Sequence, residues 1–290
     1  MSGSGQSFVI ELVGKEDLMN AIALNSAVFN VARILGPAIA GLVMALTGIA
    51  TCFFANSISF AAVLVGLILI RPISVNISKV RNIGIFEDMK DGFAYIRQND
   101  IIMKTLLKTA IVGTFAMNFS VLVPVFSSVI LKQQETGFGF LMSFMGIGSL
   151  VGAMIVAILS RSGPKSYVLG RFPVVLAAML ILTGFTNVYI LTGLCLAAAG
   201  FLFVTFSSTA NSTIQLNTKD EYRGRVMSIY ALVFGGSVPI GNLYAGTITN
   251  HFGPRIGFAA CGAIIIVLFA ILYVTGKMRK NKPGRSMPGQ

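Results

Sequence analysis

The chain carries ten acidic residues, one histidine and three cysteines among its 290 residues, and their placement limits the chemistry available. The carboxylates are Glu11, Glu16, Asp17, Glu87, Asp88, Asp91, Asp100, Glu135, Asp220 and Glu221. All of them lie outside the long apolar runs, so no intramembrane carboxylate, the usual proton carrier of a transporter, is encoded. His251 sits in a turn, and one histidine there cannot serve a nucleophile as the base of a triad. Cys52, Cys195 and Cys261 are far apart inside apolar stretches, without the close Cys or His spacing of a metal or redox site. They read as small hydrophobes, and neither a metal nor a cofactor is expected. No glycine-rich loop ends in Lys-Ser or Lys-Thr, so no ATP motor is encoded. Enzymatic catalysis is therefore not expected.

Polar groups embedded in apolar runs remain. Arg33 is the one charge within such a run. A guanidinium cannot shed its proton, so burial has to be met by an anion, by carbonyls or by water. Three readings stand: a carboxylate on other helices, a water-filled path, or a side chain reaching back to the interface. Asn25, Asn30, Asn118, Thr209, Asn211 and Gln215 join Arg33 as candidates to line a substrate cavity. Taken singly, each is equally suited to an interhelical hydrogen bond.

These residues are positioned by eight apolar runs, at 20–46, 49–70, 109–131, 137–159, 172–186, 189–214, 226–249 and 256–276. The composition, 55% hydrophobic and 11% charged, excludes both an ordinary soluble domain and a disordered chain. Runs of ~20 residues cross the ~30 Å hydrocarbon layer as helices. The net charge of +12 would suggest nucleic acid on a soluble protein. Here the basic residues fall in alternate loops, 71–108, 160–171 and 217–225, and in the tail. The intervening loops hold Lys132 and Arg255 at most. By the positive-inside rule the basic side is cytoplasmic, and an even number of spans puts both termini there. The expectation is a multi-pass protein of the cell (inner) membrane, with the lipid bilayer as its partner and no nucleic acid. Within 71–108, Phe86, Met89, Phe93 and Ile96 recur at three to four residues, the pattern of an amphipathic helix. Such a helix could lie on the membrane surface or pack under the bundle.

The first run, 20–46, is the element around which the rest is arranged. It contains Gly36-Pro37 and a stripe of small residues that includes Ala40 and Gly41, a surface on which another helix can approach closely. Shifted by 205 positions, the chain repeats it: seven identities fall within 33 residues, among them Gly36 on Gly241, Ala40 on Ala245 and Gly41 on Gly246. Gly148 and Gly152 form a second small-residue pair, and Pro239 interrupts the seventh run as Pro37 does the first. The repeat predicts two parallel halves. It also predicts that about four further spans belong on the N-terminal side, from a longer polypeptide or another membrane subunit.

Ala32-x-x-x-Gly36-Pro37-x-x-Ala40-Gly41 resembles the antiporter signature GxxxGPxxGG of the fifth helix in the major facilitator superfamily, with Ala at two of its Gly positions. Asp220-Glu221-Tyr222-Arg223-Gly224-Arg225-Val226-Met227-Ser228 is similar to the loop before that superfamily's eleventh helix. Together with LNSAVFNVARILGPAIAG, these segments place the chain near a branch that includes enterobactin exporters and macrolide efflux proteins. The resemblance extends from about Ser7 onward. It implies an all-α integral membrane fold, a major-facilitator-type helix bundle whose eight spans correspond to family helices five to twelve. Residues 1–70 would be the remainder of an N-terminal bundle, 71–108 a cytoplasmic linker, 109–276 a six-helix C-terminal bundle and 277–290 a basic cytoplasmic tail. The implied activity is export of a small, partly apolar molecule, a siderophore or drug, by alternating access, with protons as candidate coupling ion. The implied packing and gating residues are Gly36, Pro37, Ala40, Gly41, Gly148, Gly152, Pro239, Gly241 and Gly246. The implied cytoplasmic loop motif is Asp220, Glu221, Arg223, Gly224 and Arg225. Two other readings stay open: an accessory membrane fragment that transports nothing by itself, and a lipid flippase on the same fold.

Overall fold

The computed structural model describes residues 43, 47, 49–69, 85–133, 135–159 and 164–280. The first run, with Asn25, Asn30, Arg33, Gly36, Pro37, Ala40 and Gly41, lies outside these residues. Among the described residues every regular element is a helix. In chain order they are α1 (Ile49–Leu69), α2 (Ile85–Gln98), α3 (Asp100–Ala116), α4 (Phe119–Val129), α5 (Glu135–Leu159), α6 (Ser166–Phe185), α7 (Tyr189–Leu216), α8 (Asp220–Phe252) and α9 (Pro254–Lys280).

Six segments among the described residues are long and apolar enough to cross a membrane: Asp100–Val129, which joins α3 and α4, then Gly137–Val156, Ser166–Phe185, Tyr189–Leu216, Glu221–Phe252 and Pro254–Thr275. They correspond to the third through eighth apolar runs. α1 supplies a shorter apolar stretch, Ala50–Gly66. Phe53, Phe54, Ile58, Phe60 and Leu64 are all exposed on it, so α1 buries no face against the other described helices. In water that surface would be untenable; in a bilayer it is solvated by lipid.

Helix boundaries differ from the hydropathy boundaries in one consistent direction. α3 begins at Asp100 rather than near 109, α6 at Ser166 rather than 172, and α8 at Asp220 rather than 226. Hydropathy marks the hydrocarbon slab, whereas a helix continues until its end groups are capped. Asn99 shows this at α3: its Oδ1 accepts from the amides of Ile101 and Ile102 at 3.1 and 3.2 Å. The segment read as the loop 217–225 is correspondingly shorter, and Asp220 to Arg225 form the first turns of α8. Glu221 at that end favours helix, because a carboxylate there opposes the positive pole of the dipole.

The third run is not one helix. It breaks at Met117–Asn118, where φ/ψ are −96°/13° and −87°/19°. α4 restarts on Asn118, whose carbonyl accepts from the amides of Val121 and Leu122. Pro124 lies inside α4, six residues beyond the break.

Two buried clusters hold the bundle. The larger joins α3 to α9 through Val112, Phe119, Leu122, Phe126, Leu141, Leu176, Leu180, Leu196, Phe206, Phe258, Cys261 and Ile265. Phe126 and Phe258 meet edge-on at its centre, with ring centroids 5.4 Å apart. The smaller sits at the basic end and contains Ile96, Ile102, Leu106, Ile214, Val226, Ile229 and Tyr230.

Candidate functional site

Glycine decides how closely the spans approach. α5 and α7 form the most extensive pairing. A Cβ on Gly148 would strike the backbone carbonyl of Ala197, and one on Gly152 would lie 2.7 Å from the carbonyl oxygen of Phe201. From the other side, Gly200 faces the Met145 carbonyl and Gly193 the ring of Phe144. The pair Gly148/Gly152 singled out in the sequence is thus half of a four-glycine crossing. Gly193 and Gly200 complete it on α7, seven positions apart, a periodicity visible in the sequence once α7 is assigned. On α8, Gly241 is pressed against the Thr114 carbonyl and lies 2.7 Å, at its would-be Cβ, from Asn118 Oδ1. Gly246 makes only ordinary contact with Val121, at 3.9 Å. Pro239 faces outward, and its freed i−4 carbonyl belongs to Gly235, beside which a Cβ would meet nothing within 4 Å.

Asn118 stands at the break between α3 and α4 and is fully enclosed. Its Nδ2 donates to the Thr114 carbonyl at 2.9 Å, covering one of the groups left open where α3 ends, and approaches Cys261 Sγ at 3.7 Å. Its Oδ1 is buried without a hydrogen-bond partner. An unpaired buried acceptor costs about 1–3 kcal/mol. Interrupted spans are where many transporters place their binding groups, near the bilayer midplane. The break divides the Asp100–Val129 span close to its middle.

A cleft of about 170 Å³ opens between the basic ends of α5, α6 and α7. Ile155, Val156, Val168, Phe172, Phe201 and Leu216 line it, with Thr205, Thr209 and Ser212 along α7 and Lys165 and Tyr167 at α6. Of the three α7 residues expected to line a cavity, Thr209 does. Asn211 and Gln215 point elsewhere and bond to each other at 2.6 Å. Lys165, Tyr167, Thr205 and Ser212 join Thr209 without any signal in the sequence pattern, because only folding brings the start of α6 beside the end of α7.

At the same end of the bundle, α2 is clamped to the α7–α8 turn. Asp88 accepts from Arg225 Nε at 2.9 Å and lies 2.6 Å from its Nη2. Tyr95 stacks on Tyr222 with centroids 4.3 Å apart, and its hydroxyl accepts from the Lys219 amide at 3.0 Å. Asn99 Nδ2 donates to the Asn217 carbonyl at 3.2 Å. The amphipathic helix therefore packs on the bundle. Its seated face is turned from the expected stripe: Gly92 and Ile96 are buried and Tyr95 half-buried, while Phe93 is 46% exposed. Gly92 permits the turn: without a side chain it sits close over Ile229 and Arg225, where an added Cβ would lie 2.8 Å from Ile229 Cδ1 and 3.2 Å from Arg225 Cβ. Of the motif at 220–225, Arg225 makes the ion pair and also lies over the Tyr222 ring at 5.7 Å. Glu221 and Gly224 are exposed.

Among the described residues, an all-helical bundle of six long apolar segments that cross at glycines is the fold of a multi-pass membrane protein. The chain belongs to the major facilitator superfamily: residues 1–288 match the family described as transmembrane secretion effector. It is similar to the Staphyloferrin A transporter of Staphylococcus aureus (strain NCTC 8325 / PS 47), 24% identical over 288 residues, which cover 98% of this chain and 70% of that protein. It is similar also to the multidrug efflux pump Tap of Mycolicibacterium fortuitum, 22% identical over 268 residues, 91% of this chain and 64% of that one. A third relative is the uncharacterized MFS-type transporter YfiS of Bacillus subtilis (strain 168), 23% identical over 296 residues, 94% of this chain and 67% of that one. The chain thus spans about two thirds of the length of these relatives.

Proposed function

We propose that this chain acts in secondary active export of a small, partly apolar molecule, of the siderophore or drug class, by alternating access in the cell membrane. The observation that carries the reading is the interrupted span. The break at Met117–Asn118 places an enclosed, unpaired amide oxygen near mid-membrane, against the tightly packed Gly241 of α8. Such a point can both bind a polar group of a substrate and act as a pivot, because the backbone ladder is already open there. The names of the relatives, a siderophore transporter and a multidrug efflux pump, support the substrate class.

In this reading both termini are cytoplasmic, the basic loops being the inner ones. Asn118 contributes to the substrate site. Arg33, Asn25 and Asn30 are further candidates for the substrate site by residue type, and about four partner helices complete it. Protons are the proposed coupling ion, with the responsible carboxylate on those helices. The test is efflux of a fluorescent dye from vesicles under an imposed pH gradient, with the purified chain alone and with the chain joined to four further N-terminal spans. Gradient-dependent efflux is expected from the joined form and is lost in its Asn118→Leu variant. Efflux of equal size from the chain alone would remove the need for partner helices. No efflux from either form would overturn the exporter reading.

A further inference from the structure

We propose that the cleft between α5, α6 and α7 is a seat for an anionic phospholipid, with Lys165 as counter-ion to its phosphate and an acyl chain in the groove. The shape suits a chain lying along the helices rather than an enclosed ligand. At about 170 Å³ the cleft is smaller than the ~300–1,000 Å³ of sites that surround drug-sized ligands. It is open on one side, so an acyl chain lies in it with its other side against the surrounding lipid. The cleft is also long. Its wall on α7 runs from Leu216 to Phe201, fifteen residues or roughly 22 Å at 1.5 Å per residue. That exceeds half of the ~30 Å hydrocarbon layer, so the groove is long enough for the tail of one leaflet.

Its polarity is graded in the same sense. Deep in the groove the α7 hydroxyls are already spent: Thr205 donates to the Phe201 carbonyl and Thr209 to the Thr205 carbonyl, each at 2.7 Å. With those protons committed to backbone carbonyls, the deep part of the groove offers an occupant mainly the apolar side chains of Ile155, Val156, Val168, Phe172 and Phe201. At the mouth the groups that meet an anion are gathered. Lys165 and the hydroxyls of Tyr167 and Ser212 lie there, and no Asp or Glu is among the lining residues. Lys165 is also the N-cap of the twenty-residue α6, and no side chain caps that end. The positive pole of the helix thus adds to the ammonium. A basic mouth over an apolar groove between spans is the geometry that receives an anionic lipid headgroup.

The experiment is native mass spectrometry and thermal unfolding of the purified full chain, offered phosphatidylglycerol, phosphatidylcholine or inorganic phosphate. Phosphatidylglycerol is expected to remain bound and to raise the unfolding temperature. Phosphatidylcholine should do so much less, and inorganic phosphate should neither bind nor displace the lipid. Lys165→Gln is expected to weaken phosphatidylglycerol binding about fivefold, the effect of one interfacial lysine. Lys132→Gln, at the opposite end, should change nothing. Equal retention of both lipids, or undiminished phosphatidylglycerol binding by Lys165→Gln, would overturn the proposal. Displacement by inorganic phosphate would also overturn it, in favour of a free-anion site. None of these readouts depends on transport, so they are separable from the exporter reading.

Discussion

Adding one methyl group at Gly148 tests whether the α5–α7 crossing is as close as the glycines imply. An ideal Cβ on Gly152 stands 2.7 Å from the Phe201 carbonyl oxygen and 3.0 Å from Thr205 Oγ1, so α7 must retreat by about 0.3 Å to admit it. On Gly148 the added carbon falls on the Ala197 carbonyl, with that residue's Cα 2.8 Å away, and backbone cannot rotate aside as a side chain does. Overpacking of this kind costs ~1–3 kcal/mol. Against it stands the ~0.8–1.0 kcal/mol that alanine gains over glycine inside a helix. Gly152→Ala should therefore be destabilised by about 0–2 kcal/mol and Gly148→Ala by more than Gly152→Ala. Gly170→Ala is the control: it lies within α6 with nothing within 4 Å of its would-be Cβ, so only the helix gain applies. Unfolding of the purified chain in mixed micelles, followed by circular dichroism, should rank the proteins Gly170→Ala, unmodified, Gly152→Ala, Gly148→Ala in falling stability. A Gly148→Ala protein as stable as the unmodified chain would refute the close crossing.

Three further outcomes are expected. Gly241→Leu cannot be accommodated against Thr114 and Asn118, so in the form joined to four further N-terminal spans it should abolish efflux while leaving membrane insertion intact; normal efflux by that variant would show that the α3–α8 contact has no part in transport. In the α2 clamp, Asp88→Ala should cost only ~0.2–1 kcal/mol, because Asp88 is 43% exposed. Tyr95→Ala and Tyr222→Ala should instead couple by ~0.5–1.5 kcal/mol in a double-mutant cycle, as stacked rings do, and additive effects would mean the stack does not hold α2 in place. Finally, with Cys52, Cys195 and Cys261 replaced, cysteines at Lys79 and Lys165 should react with an impermeant thiol reagent only after the cytoplasmic side is opened, and one at Lys132 from outside; labelling of Lys165→Cys in intact cells would invert the orientation.

The sequence alone determined the fold class, because hydrocarbon leaves a backbone almost no choice. Each long apolar run had to become a helix, and six of the eight runs are membrane-length helices among the described residues. The alternation of basic loops was equally legible, since charge stays with the aqueous ends whatever the packing. The small residues Gly148, Gly152 and Gly241 announced contact faces, but not which helix each would meet. That pairing is a property of the assembled bundle. Gly148 meets Ala197 and Gly241 meets Thr114 because of how the spans cross, and no local pattern encodes a partner dozens of residues away. The same limit explains the break at Asn118. Pro124 removes an amide from the ladder, yet the break falls six residues earlier, where Asn118 can cover the end of α3 while Gly241 closes over it. It also explains the clamp. Hydrophobic periodicity gave α2 as a helix, but the seat offered by Arg225 and Ile229 selected Gly92, rather than Phe93, as its buried face. The phospholipid seat is likewise tertiary, since Lys165 and Ser212 become neighbours only when the start of α6 packs beside the end of α7.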